Sequence, residues 1–292
     1  MAVSPAGLFA TDMDGTLLLP GRDFHPEDLL ALEALGEMGV IRVIATGRSP
    51  FSFARMMGNR VLPVDYLVLS SGAGIMDYHS GSFIRTTSMD PRRTAGIVEW
   101  LVSRGMDFCV QRTIPDNHVF SYCYLSGDNP DLERRIELYR GHCSPLESEG
   151  SADGSTQVVV IIPPRKAGND PMREFMHLRD MYSVVRTTSP LDGESIWVEI
   201  FPPEISKGKA VGWLAARHGM TGEDAAAVGN DYNDHDLLAW AAHAYVVEDS
   251  PEHLRTSFVE VSPVSRGAVA HAARLWLRKR GQLTDADSWP AP

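Results

Sequence analysis

Three apolar segments near the start of the chain each end in a short polar loop that contains glycine. The loops are Asp12-Met13-Asp14-Gly15-Thr16, Thr46-Gly47-Arg48 and Ser70-Ser71-Gly72. Helical patterns separate the segments, and the segments themselves have the composition of buried strands. This alternation predicts an α/β fold with a doubly wound parallel sheet, in which ligands bind beyond the carboxyl ends of the strands.

The same alternation returns near the end of the chain after an interruption in the middle. The pattern predicts a helix over about 207–218, a strand over 225–228 and then the loop Gly229-Asn230-Asp231-Tyr232-Asn233-Asp234. The intervening segment has hairpin, helix and strand patterns without this rhythm. We therefore expect a discontinuous core domain of residues 1–87 and 200–292, with an α+β domain inserted at 88–199.

The first polar loop holds two carboxylates close together. If the preceding apolar run is a strand, side-chain alternation sends Asp12 and Asp14 the same way from its end. Neighbouring carboxylates repel unless a cation lies between them or one is protonated. The pair therefore predicts a metal site that handles an anionic substrate. A strand followed by an ordinary Asp-Gly turn is the alternative interpretation of this loop alone.

Four loops together carry groups that suit phosphoryl transfer: 12–16, 46–48, Ser206-Lys207-Gly208 and 229–234. An aspartate can attack phosphorus, and a second acid can protonate the leaving oxygen and then activate water. The Thr46 hydroxyl and the backbone N–H near Gly47 can bind phosphate oxygens. Lys207 adds a positive charge at a predicted helix N-terminus. The loop 229–234 offers oxygen ligands for a hard cation, of which Mg²⁺ is the most suitable.

In order and spacing, these motifs resemble the haloacid-dehalogenase-like (HAD) superfamily, specifically Cof-like phosphatases with a large α/β cap. The resemblance spans nearly the whole chain, and it implies a HAD-like Rossmannoid core with residues 88–199 as the cap domain. It also implies an aspartyl-phosphate mechanism that depends on Mg²⁺.

The resemblance implies a role for each matching residue. The catalytic candidates are Asp12 as nucleophile, Asp14 as general acid and base, and Lys207, which would orient the nucleophile and the phosphate. The phosphate-binding candidates are Thr46, Gly47, Lys207 and Asn233. The metal-binding candidates are Asp12, Asp14 through its backbone carbonyl, Asn230, Asp231 and Asp234.

Two positions depart from the family pattern. Asn230 stands where the family usually has an aspartate, and its uncharged amide oxygen predicts weaker Mg²⁺ binding; Asp231 is the alternative ligand. Asp234 is expected either to ligate the metal through water or to hold Lys207. Ser71 occupies a position that is usually asparagine in Cof-like proteins.

We therefore expect a cytoplasmic, Mg²⁺-dependent phosphatase that acts on a small phosphorylated metabolite, a sugar phosphate being one candidate. A phosphomutase of the same fold and a non-catalytic protein that binds such a metabolite are the alternatives. The net charge of −11 argues against nucleic-acid and membrane partners. Three cysteines without a C-x-x-C pair are typical of reduced thiols. A monomer or a homodimer is expected.

Overall fold

The computed structural model describes residues 5–147, 154–168 and 171–284. Their strands, in chain order, are β1 (Gly7–Thr11), β2 (Val40–Ala45), β3 (Tyr66–Leu69), β4 (Gly74–Asp77), β5 (Ser82–Thr86), β6 (Phe108–Gln111), β7 (Phe120–Cys123), β8 (Cys143–Pro145), β9 (Gln157–Ile162), β10 (Ser183–Thr188), β11 (Ile196–Phe201), β12 (Ala225–Gly229), β13 (His243–Val247) and β14 (Val259–Val261). Their α-helices are α1 (Pro26–Glu37), α2 (Pro50–Met57), α3 (Pro91–Ser103), α4 (Pro130–Leu138), α5 (Lys207–Arg217), α6 (His235–Trp240), α7 (Glu252–Arg255) and α8 (Ala268–Lys279). No helix in these ranges is long and apolar enough to cross a membrane.

The chain forms two compact units. The first comprises Met1–Gly47, Met57–Arg85 and Ser206–Pro292, and the second comprises Arg48–Met56 and Thr86–Ile205. The first unit therefore draws on both ends of the chain, as a discontinuous domain does. The division into a core of 1–87 and 200–292 and a cap of 88–199 stays a prediction.

The first unit is built on a sheet with the strand order β14-β13-β12-β1-β2-β3-β4-β5. The strands from β14 to β3 pair in parallel, and β4 runs antiparallel to β3. β1 lies between β12 and β2, and all of its residues are buried. The predicted α/β fold with a doubly wound, mostly parallel sheet is confirmed.

Helices pack on both faces of this sheet, against side chains that alternate along β1. Leu8 and Ala10 belong to a buried cluster that includes Leu214 of α5 and Leu237 of α6. Phe9 points the other way, and its ring lies 5.9 Å from that of Trp276 in α8. Packing on both faces therefore fixes the carboxyl end of β1, and with it the start of the polar loop that follows.

The second unit contains a sheet with the order β10-β11-β9-β6-β7-β8. Neighbouring strands are antiparallel, apart from β7 and β8, which are parallel. Both faces are apolar: Val158 and Val160 of β9 belong to one buried cluster, and Val159 and Ile161 belong to another. α3 and α4 supply residues to these clusters, so this unit has the α+β character expected of the inserted segment.

A buried carboxylate joins α1 to the start of α8. Asp28 of α1 is fully buried, and its Oδ1 accepts a hydrogen bond of 2.7 Å from the N–H of Ala270. Burial raises the pKa of Asp28 to about 7, although hydrogen bonds from Ala270 and Val269 oppose the shift. Its folded-state pKa thus lies above the ordinary value of 3.8. Its contribution to stability is therefore complete below about pH 4 and is lost as the pH rises through 7.

We expect Asp28→Asn to remove this pH dependence, because an amide keeps the acceptor oxygen but does not titrate. Between about pH 4.5 and pH 8, the free energy of unfolding of the wild type should fall relative to the variant by about 3 kcal/mol. Urea unfolding at the two pH values measures this difference. Asp23→Asn, which changes an exposed carboxylate, is the control. Equal pH slopes in the wild type and Asp28→Asn would contradict the account.

Candidate active site

The centre of the site is a buried lysine that contacts two aspartates. Lys207 Nζ lies 2.6 Å from Asp12 Oδ1 and 2.6 Å from Asp234 Oδ1, and all three side chains are buried. Asp12 directly follows β1, and its N–H donates to the carbonyl of Val228 in β12 at 2.9 Å. Residues that are far apart in the chain therefore meet at the carboxyl end of the sheet.

The helix start positions Lys207 accurately. Lys207 is the first residue of α5, and the Ser206 side chain caps this helix by accepting a hydrogen bond of 3.2 Å from the N–H of Lys209. A Cβ at Gly208 would lie 2.5 Å from the carbonyl oxygen of Asp236, so only glycine fits there. Ser206 thus caps the helix, Lys207 supplies the positive charge, and Gly208 lets the backbone of Asp236 come close.

Burial and the neighbouring charges together shift the pKa values in this cluster. Burial raises the pKa of Asp12 to about 8; Asp234 and Asp14 also raise it, and Lys207 lowers it. Burial lowers the pKa of Lys207, but Asp12 and Asp234 outweigh burial and raise it, so the ammonium stays protonated. One ammonium does not neutralise the surrounding carboxylates, and a further cation near them would favour ionised Asp12.

Asp234 also organises the loop that follows β12. Its Oδ2 accepts hydrogen bonds from the N–H groups of Asn230 (2.8 Å) and Asp231 (3.1 Å). The Asp231 side chain accepts from the N–H of Tyr232 at 2.8 Å, within its own loop. A Cβ at Gly229 would lie 2.5 Å from Asp234 Cβ, so glycine is required for this approach. Asp234 therefore fixes the loop backbone and Lys207 together.

Asn230 contacts the loop that follows β1. The Thr16 hydroxyl donates to Asn230 Oδ1 at 3.0 Å. Gly15 has a φ of 80°, and a Cβ there would lie 2.3 Å from Asn230 Nδ2. The glycine of the Asp-x-Asp-Gly-Thr motif is therefore favoured by its left-handed conformation, and any side chain there would displace the Asn230 amide.

The candidate phosphate-binding residues lie in adjacent loops. Thr46 follows β2, is buried, and accepts a hydrogen bond of 3.0 Å at its carbonyl from the N–H of Ser71. A Cβ at Gly47 would lie 3.6 Å from Ser71 Oγ and 4.0 Å from Asn233 Nδ2. Gly47 thus lies between a serine hydroxyl and an asparagine amide, an environment rich in hydrogen-bonding groups.

The backbone after β3 is strained, which the sequence motifs did not reveal. Ser70 and Ser71 are buried and have φ values of 49° and 54°, in the left-handed region. This conformation costs a non-glycine residue roughly 1–2 kcal/mol, and asparagine adopts it more readily than serine. Cof-like proteins usually have asparagine at this position, and that preference is a signal from which the left-handed turn could have been predicted. Gly72 approaches the carbonyl of Ser206, where a Cβ would lie 2.5 Å away.

Replacing Ser71 with glycine is expected to relieve this strain. We expect a gain in the free energy of unfolding of up to about 1 kcal/mol, because glycine adopts the left-handed region without a steric cost. Thermal unfolding measures the change. Ser103→Gly in α3 is the matched control and should lower stability by about 0.5–1 kcal/mol. If Ser71→Gly lost as much stability as the control, the claim that the backbone is strained at Ser71 would be contradicted.

An open groove of about 440 Å³ also lies in the second unit. Its lining combines prolines with side chains of both charges: Pro130, Asp131, Arg134, Pro163, Pro164, Arg165, Asp192, Glu194 and Ser195. None of the candidate site residues lines it. The mixed charge of this groove gives no preference for an anionic ligand.

The doubly wound sheet gathers its polar loops, with the buried contacts of Lys207 to Asp12 and Asp234, at the carboxyl edge, where α/β folds bind their ligands. The model of the haloacid dehalogenase-like hydrolase family matches residues 9–272, and the chain belongs to this family. The predicted family and the predicted enzyme class are both confirmed.

Curated relatives match across nearly the full chain. The 5-amino-6-(5-phospho-D-ribitylamino)uracil phosphatase YwtE of Bacillus subtilis is 23% identical over 280 residues, which cover 88% of this chain and 94% of the relative. The HMP-PP phosphatase of Cronobacter sakazakii is 25% identical over 281 residues, which cover 93% and 96%. These relatives are named as phosphatases of small phosphorylated metabolites.

Solved structures share the fold at low sequence identity. BT1666 from Bacteroides thetaiotaomicron, described as a HAD phosphatase, superposes with a TM-score of 0.75 at 17% identity, covering 97% of both chains. The HAD subclass IIB sugar phosphatase BT4131 gives a TM-score of 0.70 at 16% identity, covering 95% of this chain and 100% of the other. At this identity the likeness concerns the fold.

Proposed function

We propose that this protein is a Mg²⁺-dependent phosphatase that hydrolyses a small phosphorylated metabolite through an aspartyl-phosphate on Asp12. The observation that carries the proposal is the contact of Lys207 with both Asp12 and Asp234 in a buried site beyond the carboxyl end of β1. A lysine so placed holds the nucleophile in one orientation and offsets the charge of an arriving phosphate.

In the first step, an Asp12 oxygen bonds to phosphorus and the bond from phosphorus to the leaving oxygen breaks. Asp14 supplies the proton that the leaving oxygen takes up. In the second step, Asp14 removes a proton from water, the water oxygen bonds to phosphorus, and the Asp12 carboxylate leaves. The Thr46 hydroxyl, the Gly47 N–H and the Asn233 amide bind the phosphate oxygens.

The donor set suits a hard cation. Carboxylate and backbone carbonyl oxygens are ligands that Mg²⁺ takes, and the carboxylates of Asp234 and Asp14 add to burial in raising the pKa of Asp12. No group of three or more His, Cys, Asp or Glu side chains is arranged for a metal among the described residues, so backbone carbonyl oxygens would complete the set. Asp12 and Asp14 would hold the ion, with Asp231 and Asp234 as further candidates, whereas the side-chain oxygen of Asn230 accepts a hydrogen bond from Thr16. When bound, Mg²⁺ would neutralise charge on the phosphate and the nucleophile.

The names of the relatives support the proposed class of substrate. The names of two relatives specify a phosphoribityl-aminouracil and HMP-PP, and BT4131 is described as a sugar phosphatase. Each is a small phosphorylated metabolite, and we propose a substrate of this kind, with residues 88–199 as the cap domain. We also propose that the protein acts in the cytoplasm as a monomer or homodimer.

A panel of phosphate esters assayed with Mg²⁺ and with EDTA tests the proposal. We expect phosphate release from at least one sugar phosphate or related ester, and a loss of at least about 100-fold in EDTA that Mg²⁺ restores, because several kcal/mol of charge stabilisation are removed. Steady phosphate release without an added acceptor would distinguish a hydrolase from a phosphomutase. Full activity in EDTA would contradict the metal requirement, and no turnover of any ester would favour a binding protein.

A further inference from the structure

A hydrogen bond joins the two loops that would surround the cation. The Thr16 hydroxyl, in the loop after β1, donates to Asn230 Oδ1, in the loop after β12, at 3.0 Å. β1 and β12 are neighbouring parallel strands, with Thr11 beside Val228, so the two loops begin side by side. Thr16 is fully buried, which makes this bond part of the packed site.

The hydrogen bond from Thr16 fixes the orientation of the Asn230 side-chain amide. Oδ1 faces the Thr16 hydroxyl, and Nδ2 lies against Gly15, 2.3 Å from the position of a Cβ there. An aspartate at this position would place an oxygen at both ends of the side chain. In this chain, a nitrogen that carries hydrogens stands in place of the second oxygen, and such a nitrogen cannot ligate a cation.

The other carboxylates of the same loop have defined partners. Asp234 contacts Lys207 through one oxygen and two backbone N–H groups through the other. Asp231 accepts from the N–H of Tyr232. Neither contact involves the side chain of Asn230, so a change of charge on that side chain leaves these interactions in place.

We propose that Asn230 is a positioning residue, which fixes the loop of Asp12 and Asp14 through Thr16 and supplies no charge to the cation. The inference rests on the proposed function, since it concerns the same metal site. Ligand charge tunes the affinity of oxygen sites for divalent cations. The site therefore holds Mg²⁺ more weakly than it would with aspartate at position 230, and Asn230→Asp tightens binding.

The test is a calorimetric titration of the full chain with Mg²⁺ alone, without substrate. We expect Asn230→Asp to lower the Kd for Mg²⁺ at least about 10-fold, because a carboxylate still accepts from Thr16 and adds a charge and an oxygen. A gain in affinity is a result that structural damage cannot produce. Gln282→Glu, which adds a charge after α8 near the opposite end of β1, is the matched control and should leave the Kd unchanged.

Variants of the hydrogen bond distinguish positioning from direct ligation. Thr16→Val and Asn230→Ala should weaken Mg²⁺ binding to similar extents, the double variant should be no weaker than either, and Thr16→Ser should restore wild-type affinity. A large loss in Asn230→Ala with no change in Thr16→Val would identify Asn230 as a direct ligand and overturn the proposal. An unchanged Kd in Asn230→Asp would overturn it as well.

Phosphate release from the ester panel is measured separately on the same proteins. If Asn230→Asp tightens Mg²⁺ binding and no ester is hydrolysed, the role of Asn230 stands and the proposed function fails. If the wild type hydrolyses esters with Mg²⁺ while Asn230→Asp binds no more tightly, the proposed function stands and the role of Asn230 is wrong. Absence of Mg²⁺ binding by both proteins would contradict both.

Discussion

Asp12→Asn is expected to abolish phosphate release while the first unit stays folded. An amide does not attack phosphorus, so the covalent intermediate cannot form. Loss of a nucleophile that acts together with partner groups costs up to about 10⁶-fold in kcat, and we expect a loss of at least about 10⁴-fold here. Phosphate release from the best ester of the panel measures it.

The fold of this variant is expected to be intact, because burial and neighbouring carboxylates already disfavour the charge on Asp12 and raise its pKa to about 8. The melting temperature should therefore equal or exceed that of the wild type. Asp77→Asn, at the end of β4 in the same unit, is the matched control and should retain wild-type turnover. Residual turnover of Asp12→Asn within about 10-fold of the wild type would contradict the assignment of the nucleophile.

Lys207→Met is expected to cost both stability and activity. Removing the ammonium leaves Asp12 and Asp234 buried without their shared partner, and breaking a buried ion pair in this way costs about 3–5 kcal/mol. Urea unfolding at pH 8 measures the deficit.

Lys209→Met provides the control for this effect. Lys209 lies in the same first turn of α5, but its side chain is exposed, so its replacement should change stability by less than about 0.5 kcal/mol. A Lys207→Met protein as stable as the control at pH 8 would show that the ion pairs contribute no net stability. Such a result would also weaken the proposed role of Lys207 in orienting Asp12.

The sequence predicted the sheet of the first unit because the signal is local. Apolar runs such as 40–45 are buried strands, and each ends in a loop whose composition shows where the strand stops. The ends of β1, β2 and β12 could thus be located with their polar residues. The short β14 carried no such signal, since Val259 and Glu260 are exposed.

The contacts within the site could not be predicted, because they join residues that are far apart in the chain. Lys207 and Asp12 are separated by 195 positions, and Thr16 and Asn230 by 214. The pattern left open whether Asp234 ligates a metal through water or holds Lys207, since either role uses the same carboxylate. The orientation of the Asn230 amide likewise depends on Thr16, a contact that exists only in the folded chain.

The most direct test of the central claim is to identify the carboxylate that carries the phosphoryl group. Rapid quenching during turnover, followed by borohydride reduction and peptide mass spectrometry, converts an aspartyl-phosphate into homoserine at the modified position. We predict homoserine at position 12 in the wild type and none in Asp12→Asn. Homoserine at position 14 or at any other aspartate, with position 12 unmodified, would contradict the account.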